Sequence, residues 1–172
     1  DEGSCALWHA RAGWVRPSRL VAAWLAQPGI RLLTDAPVAR IENRQGRWSA
    51  LAADGRCLAQ GERIVIAAGY DTRSFAPGLP LQAGRGQVAY GHGATGLPRH
   101  PINGDGHLIA HVPDGLGPLW LAGSTYDRDS SSTALRDEDM QANLERVARL
   151  HPGAALALQN RQAHGRMQAW AR

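Results

Sequence analysis

The chain contains no lysine; all 19 of its basic residues are arginine. With the many alanines, this bias reflects genome composition more than function. The arginines are scattered from Arg11 to Arg172 and form no run. The net charge of +4 is therefore compatible with an RNA partner without specifying one. Cysteine is scarce. Cys5 and Cys57 are too few for a disulfide framework and are not spaced as metal ligands. They read as small apolar fillers in a reducing cytosol, so a cytoplasmic location is expected. No apolar run approaches the roughly 18 residues that would span a bilayer. No charged-then-apolar N-terminal segment suggests secretion. No G-x-S-x-G elbow gives Ser124 a serine-hydrolase context.

What is present is the composition of a globular protein. Hydrophobic residues make up 44% and charged residues 20% of 172, enough for a core rather than a disordered chain. The first residue is Asp1, and Trp170 lies close to the other end. Neither end has the polar taper of a natural terminus, so the expectation is an internal piece of a longer protein.

Local patterns predict the organisation. Pro17 suits the first position of a helix, and Leu20, Val21, Trp24 and Leu25 fall on one face of it. Pro28-Gly29 ends that helix. Val38 and Ile41 belong to one short strand, residues 43–46 to a turn, and Trp48, Leu51 and Ala53 to a second strand. Asp54-Gly55 is a hairpin signal. The run Ile64-Val65-Ile66-Ala67-Ala68, closed by Gly69, reads as a strand buried on both faces, as in a parallel sheet. A Pro/Gly-rich stretch near residues 76–81 marks the main boundary, dividing residues 1–80 from residues 81–172. Strands follow around residues 87–90, 107–112 and 119–122, separated by the turn sequences Asn103-Gly104-Asp105-Gly106 and Asp114-Gly115-Leu116-Gly117. They read as an antiparallel meander. A helix starts near Asp137, with acidic residues at the positive end of its dipole and Met140, Leu144 and Val147 as its apolar stripe. His151-Pro152-Gly153 stops it.

Most isolated motifs carry no chemistry. Gly91-His92-Gly93-Ala94-Thr95-Gly96 matches a dinucleotide fingerprint by letter. That motif needs a helix after it, and Pro98 and Pro101 forbid one, so a glycine loop is expected. His107 and His111 would point to one face of a strand, but no further ligands accompany them, and no metal is expected. Arg136, Asp137, Glu138 and Asp139 read as a solvated helix start.

Three segments, taken in order, carry a resemblance: residues 13–20 (Gly-Trp-Val-Arg-Pro-Ser-Arg-Leu), residues 64–70 (Ile-Val-Ile-Ala-Ala-Gly-Tyr), and Arg85-Gly86-Gln87-Val88. Together they resemble the D-amino acid oxidase-like superfamily of FAD enzymes, which includes glycine oxidase and sarcosine oxidase. Arg85-Gly86-Gln87, residues 122–128, Thr133 and Asp137-Glu138-Asp139 are more narrowly similar to one branch. That branch comprises the bifunctional bacterial enzymes that build 5-methylaminomethyl-2-thiouridine at the tRNA wobble position.

The resemblance implies an α+β chain cut from an α/β parent. Residues 1–80 would be an incomplete Rossmann-type FAD lobe with a β-meander, lacking the N-terminal glycine-rich motif. Residues 81–172 would be the substrate domain, with an antiparallel sheet. FAD is the implied cofactor, contacted by Val38, Ala68, Gly69, Arg85, Gly86 and Gln87. Arg172, or alternatively Arg166, would hold a substrate carboxylate. No acid–base residue is assigned, because a flavin carries the hard chemistry itself. The implied partners of the intact enzyme are tRNA and a methyltransferase domain in the same chain. The reaction would oxidise a C–N bond and remove the carboxymethyl group of 5-carboxymethylaminomethyluridine. By itself the piece is expected to be inactive and to bind FAD weakly. Two other classes share these residues: a small-molecule amine or amino-acid oxidase, and a non-enzymatic module of the same fold.

Overall fold

The computed structural model describes residues 6–93 and 95–172. Cys5, and Ala94 of the glycine stretch, lie outside the described residues. The chain divides into two units, one of residues 16–82 and one of residues 1–15 with 83–172.

The unit of residues 16–82 begins with helix α1 (Pro17–Leu25), which has Pro17 in its first turn. The helix ends before Pro28-Gly29: the Ala26 amide closes the last turn on the Ala22 carbonyl at 3.0 Å. Its apolar stripe lies in the open. No residue of α1 is buried, and Trp24 is 56% exposed. Strands β1 (Arg40–Arg44), β2 (Arg47–Leu51) and β3 (Cys57–Gly61) form an antiparallel sheet in that order. Val38 precedes β1, and Ala53 falls in the turn after β2 rather than in the strand. Gly55 closes the β2–β3 turn with a 3.0 Å bond from its amide to the Ala52 carbonyl. Its φ of 86° is a conformation that glycine adopts without strain.

The expected strand at residues 64–68 does not form. These residues join no sheet, and Val65 is 88% exposed. A strand buried on both faces needs ladder partners at its edges and cover on each face; no described residue supplies either. The run leads instead into a 3₁₀ turn, Gly69–Ser74.

The second unit holds strands β4 (Gly84–Arg85), β5 (Gln87–His92), β6 (Ile102–Gly104), β7 (Gly106–Val112), β8 (Leu119–Gly123) and β9 (Asp127–Arg128). Helices α2 (Asp137–Leu150) and α3 (Pro152–Ala163) follow, then strand β10 (Gln168–Ala171). The main sheet runs β10-β5-β8-β7-β6, with every pairing antiparallel. This corrects the meander. Strands β6, β7 and β8 follow one another as hairpins, but β5 lies beside β8. Its neighbour is therefore set by side-chain packing across the sheet and not by the next turn. Strand β4 pairs separately with β9.

The core lies between one sheet face and the two helices. Ala89, Leu108, Trp120 and Ala122 meet Leu144 and Val147 of α2 and Leu158 of α3. Helix α2 forms as its stripe requires. His151-Pro152-Gly153 ends α2, yet the same residues start α3, which the sequence reading omits. Pro152 occupies the first turn, and His151 Nδ1 caps it by accepting from the Ala154 amide at 3.0 Å.

His107 and His111 do not share a face as regular alternation would require. The β7–β8 register shifts between Ile109 and Val112, and His111 sits at φ 56°. His107 is half-buried, and burial lowers its pKa below the ordinary value. Among the described residues no group of three or more His, Cys, Asp or Glu could hold a metal. No helix among them is long and apolar enough to cross a membrane.

Candidate functional site

Arg85, Gly86 and Gln87 carry β4 into β5, and the two charged or polar side chains turn inward. Both residues are 1% exposed. The Arg85 guanidinium donates to the Asp139 carboxylate, to the Ala134 carbonyl and, at 2.9 Å, to Gln87 Oε1. Gln87 Oε1 also accepts from the Arg136 amide at 2.9 Å, while Gln87 Nε2 donates to the Arg136 carbonyl at 2.8 Å. The backbone of Gln87 is held as tightly. Its amide donates to Thr125 Oγ1 at 3.1 Å, and its carbonyl accepts from the Thr125 amide at 3.1 Å and from Asn143 Nδ2 at 2.8 Å. Most polar atoms of this buried cation and amide are thereby satisfied, while Arg85 Nε and Asn143 Oδ1 are buried without a hydrogen-bond partner among the described residues.

This network ties the start of α2 to the sheet. It corrects the reading of a solvated helix start at Asp139, whose side chain is 13% exposed and pairs with Arg85; Asp137 and Glu138 are exposed as expected. Arg136 pairs with Asp127 at 2.8 Å, a hydrogen bond that holds its guanidinium pKa above the ordinary value. Sequence reasoning did not single out Asn143, and gave no role in this network to Asp139 or Thr125, although both fall in segments that carry the resemblance. The one local signal, an acid in the first turn of a helix, has a sufficient explanation in the dipole.

Gly86 is glycine for close approach. A Cβ there would lie 3.0 Å from the Thr125 carbonyl oxygen. Its backbone also joins the two ends of the candidate site: the Gly86 amide donates to the Arg172 carbonyl at 2.8 Å, and the Arg172 amide donates back at 3.0 Å. Arg172 thus continues the β10–β5 ladder, is exposed, and has no described partner for its guanidinium. Arg166 stands elsewhere. Its carbonyl lies against Gly91; burial, and to a lesser extent the Arg166 charge, lowers the pKa of Arg161. Arg166 precedes β10, whereas Arg172 follows it, six positions further along the chain.

Between the start of α2 and the β5–β10 edge lies an open groove of about 490 Å³, lined by residues that include Gln87, Tyr90, Leu135, Met140, Met167 and Gln168. Its wall at Gln87 is the network just described.

The other three cofactor candidates lie in the unit of residues 16–82. Val38 is partly exposed ahead of β1. Ala68 leads into the 3₁₀ turn, and Gly69 adopts φ 57°, a left-handed conformation that disfavours any side chain. Neither unit contains a strand, glycine turn and helix in succession among its described residues. Gly91 lies in β5, and residues 97–101 are not helical. The described residues can therefore offer an FAD backbone and surface contacts, but they do not form a phosphate cradle.

A mixed chain with antiparallel sheets, the larger one backed by helices, is consistent with the fold of a flavin-dependent oxidoreductase. The chain belongs to the FAD dependent oxidoreductase (DAO) family, whose pattern matches residues 2–171, and FAD is the cofactor that membership implies. Among its relatives are proteins called tRNA 5-methylaminomethyl-2-thiouridine biosynthesis bifunctional protein MnmC. It is 40% identical over 177 residues to that of Polaromonas naphthalenivorans (strain CJ2), which covers 96% of this chain and 28% of the relative. It is 39% identical over 181 residues to that of Polaromonas sp. (strain JS666), with 96% and 28% covered. It is 41% identical over 180 residues to that of Verminephrobacter eiseniae (strain EF01-2), with 94% and 29% covered. The chain thus spans a little over a quarter of the length of the curated relatives it matches. These findings bear out the family resemblance; the Rossmann-type detail is not seen among the described residues.

Proposed function

We propose that this chain is the substrate-side part of an FAD-dependent oxidoreductase that removes the carboxymethyl group of 5-carboxymethylaminomethyl-(2-thio)uridine at the tRNA wobble position. Residues 81–172 serve as the substrate domain and residues 1–80 as a partial FAD domain. The intact protein works on tRNA in the cytoplasm and carries a methyltransferase domain. The part alone is inactive. The relatives' name supports the tRNA substrate. The observation that supports the site is the reciprocal backbone pairing of Gly86 with Arg172, which brings together two segments far apart in the chain.

The substrate is a secondary amine flanked by a carboxylate. When bound, FAD supplies the acceptor for the hydride that leaves the carbon beside the amine. The residues of this chain hold and orient. A planar guanidinium at Arg172 meets the substrate carboxylate with two parallel hydrogen bonds. The Arg85–Gln87 network fixes the Gly86 backbone against which Arg172 is strung. Arg85, Gly86 and Gln87 would contact bound FAD through backbone, because the Arg85 and Gln87 side chains are engaged in the internal network. Val38, Ala68 and Gly69 would supply further FAD contacts.

The test is Arg172→Lys in the full-length flavoprotein. Lysine keeps the charge and loses the fork. Losing one charge-assisted bond costs about 1.5–3 kcal/mol, roughly a tenfold to hundredfold fall in kcat/KM on modified tRNA. Arg166→Lys is expected to leave it unchanged. If Arg172→Lys has no effect, the carboxylate is held elsewhere.

A further inference from the structure

The two faces of the main sheet differ in a way the proposed carboxylate contact does not use. The register sets Ala171 opposite Gln87 and Ala169 opposite Ala89, on the face that α2 and α3 cover. The alternate residues of β10 point the other way. Trp170 lies opposite Val88, and Gln168 opposite Tyr90; Tyr90 in turn lies opposite Leu121 of β8. Trp170 is 54% exposed, whereas Trp120, on the helix-covered face, is fully buried. An indole on an edge strand with half its surface open contributes little to the core of its own unit.

Arg172 continues the same ladder through Gly86, so period-two alternation puts it on the face of Trp170, about 6.5–7 Å along the strand. An open aromatic ring and a guanidinium with no described partner stand side by side. The proposed substrate has matching parts at a matching distance. Its carboxylate carbon is four bonds of about 1.5 Å each from the uracil ring, which is a reach of about 5 Å when extended. The guanidinium complements the carboxylate in charge. An aromatic face stacks a splayed-out base without needing its hydrogen-bonding edges.

We propose that Trp170 is the stacking platform for the wobble uracil, so that Trp170 and Arg172 read the modified nucleoside as a two-point pair. The proposal rests on the reading that Arg172 holds the carboxylate. It assigns Trp170 the distinction between a nucleoside and a free amino acid, which the carboxylate contact alone does not make.

The experiment uses the full-length flavoprotein and labelled anticodon stem-loops, with equilibrium binding as the readout. Three stem-loops are compared, carrying at the wobble position 5-carboxymethylaminomethyluridine, plain uridine or an abasic site. Trp170→Ala is expected to weaken binding of both uridine-containing stem-loops roughly fivefold to hundredfold, the range of one base–aromatic stack. Binding of the abasic stem-loop stays unchanged, which also reports an intact fold. Trp170→Phe restores most of the loss. Unchanged affinity for all three stem-loops overturns the platform. So does an equal loss on all three, because Trp170 would then act on the backbone or the fold. Arg172→Lys separates the two readings: it should weaken only the carboxymethylaminomethyl stem-loop. If it does not, the carboxylate contact fails, and the two-point pairing with it, while a Trp170 effect confined to base-containing stem-loops would still mark the platform.

Discussion

Replacing Asp139 with asparagine tests whether the Arg85 network holds the second unit together. The Arg85 side chain is fully buried, and Asp139 is its one acidic partner among the described residues. Asp139→Asn keeps the shape and leaves the guanidinium buried without a counter-charge. Breaking a buried pair on one side costs about 3–5 kcal/mol. A domain of this kind has about 5–15 kcal/mol in total, so about a fifth or more of its stability is at stake. With a urea slope of about 2 kcal/mol/M, the unfolding midpoint should fall by about 1.5–2.5 M. The assay is urea unfolding of the 172-residue chain, followed by far-ultraviolet circular dichroism, which reports α2 and α3. Asp139 also lies in the first turn of α2, where an acid contributes about 0.3–1 kcal/mol through the helix dipole. Glu138→Gln removes a charge from the same turn without touching the pair and measures that share. Replacing both partners, Arg85→Met with Asp139→Leu, should return the midpoint close to the parent value, since a well-packed apolar pair often equals a buried ion pair. A loss for Asp139→Asn no larger than that for Glu138→Gln would refute the reasoning: the pair would then be hydrated in solution and the network would not be a structural clamp.

Three further outcomes are expected. Gly91→Ala would place a Cβ 2.7 Å from the Arg166 carbonyl oxygen and 2.9 Å from the Trp120 ring. Neither neighbour can yield freely, so a loss of about 1–3 kcal/mol should appear as a Tm fall of about 2–4 °C per kcal/mol; an unchanged Tm contradicts this. Burial lowers the pKa of His107, so below about pH 6.5 the unfolded state takes up a proton that the folded state resists, and stability falls as pH drops toward the folded pKa. His107→Phe should flatten the urea midpoint between pH 7.5 and 5.5 relative to the parent, and an identical slope in both would show His107 to be uninvolved. The chain alone should lose FAD on gel filtration, since its described residues make no phosphate cradle; stoichiometric yellow flavin in the protein peak is the opposing result.

Much of the second unit was legible because its signals are local. Asp137–Leu150 carries both an acidic first turn and a clean apolar stripe, and the strands near Gln87, His107 and Leu119 are bounded by glycine turns. Helix α3 escaped notice because Pro152-Gly153 serves both as a stop and as a start, and an alanine-rich helix shows little one-sidedness. Strand β10 is not legible in local composition, because four residues containing two alanines and no β-branched side chain have no strand signature of their own; pairing with β5 makes them a strand. The reverse error occurred at residues 64–68, where composition is that of a buried strand but a ladder needs partners that local sequence cannot supply. For the site, the pattern Arg85-Gly86-Gln87 could be picked out, but its side chains' inward role could not, because Asp139, Asn143 and Arg136 lie about fifty residues away. The adjacency of Arg172 to Gly86 is invisible for the same reason.

That separation has a consequence during synthesis. Arg85 emerges from the ribosome 54 residues before Asp139, and chains elongate at about 5–20 residues per second. The first partner outside the segment, Thr125, follows Gln87 by 38 residues, so for roughly 2–8 seconds the segment has only its own Arg85–Gln87 bond. It must stay hydrated through that interval, and a guanidinium and an amide do so readily. A leucine pair in the same place would suit the finished core and would leave an exposed apolar β-strand waiting beside an unpaired edge, the condition in which nascent sheets associate with the wrong neighbour.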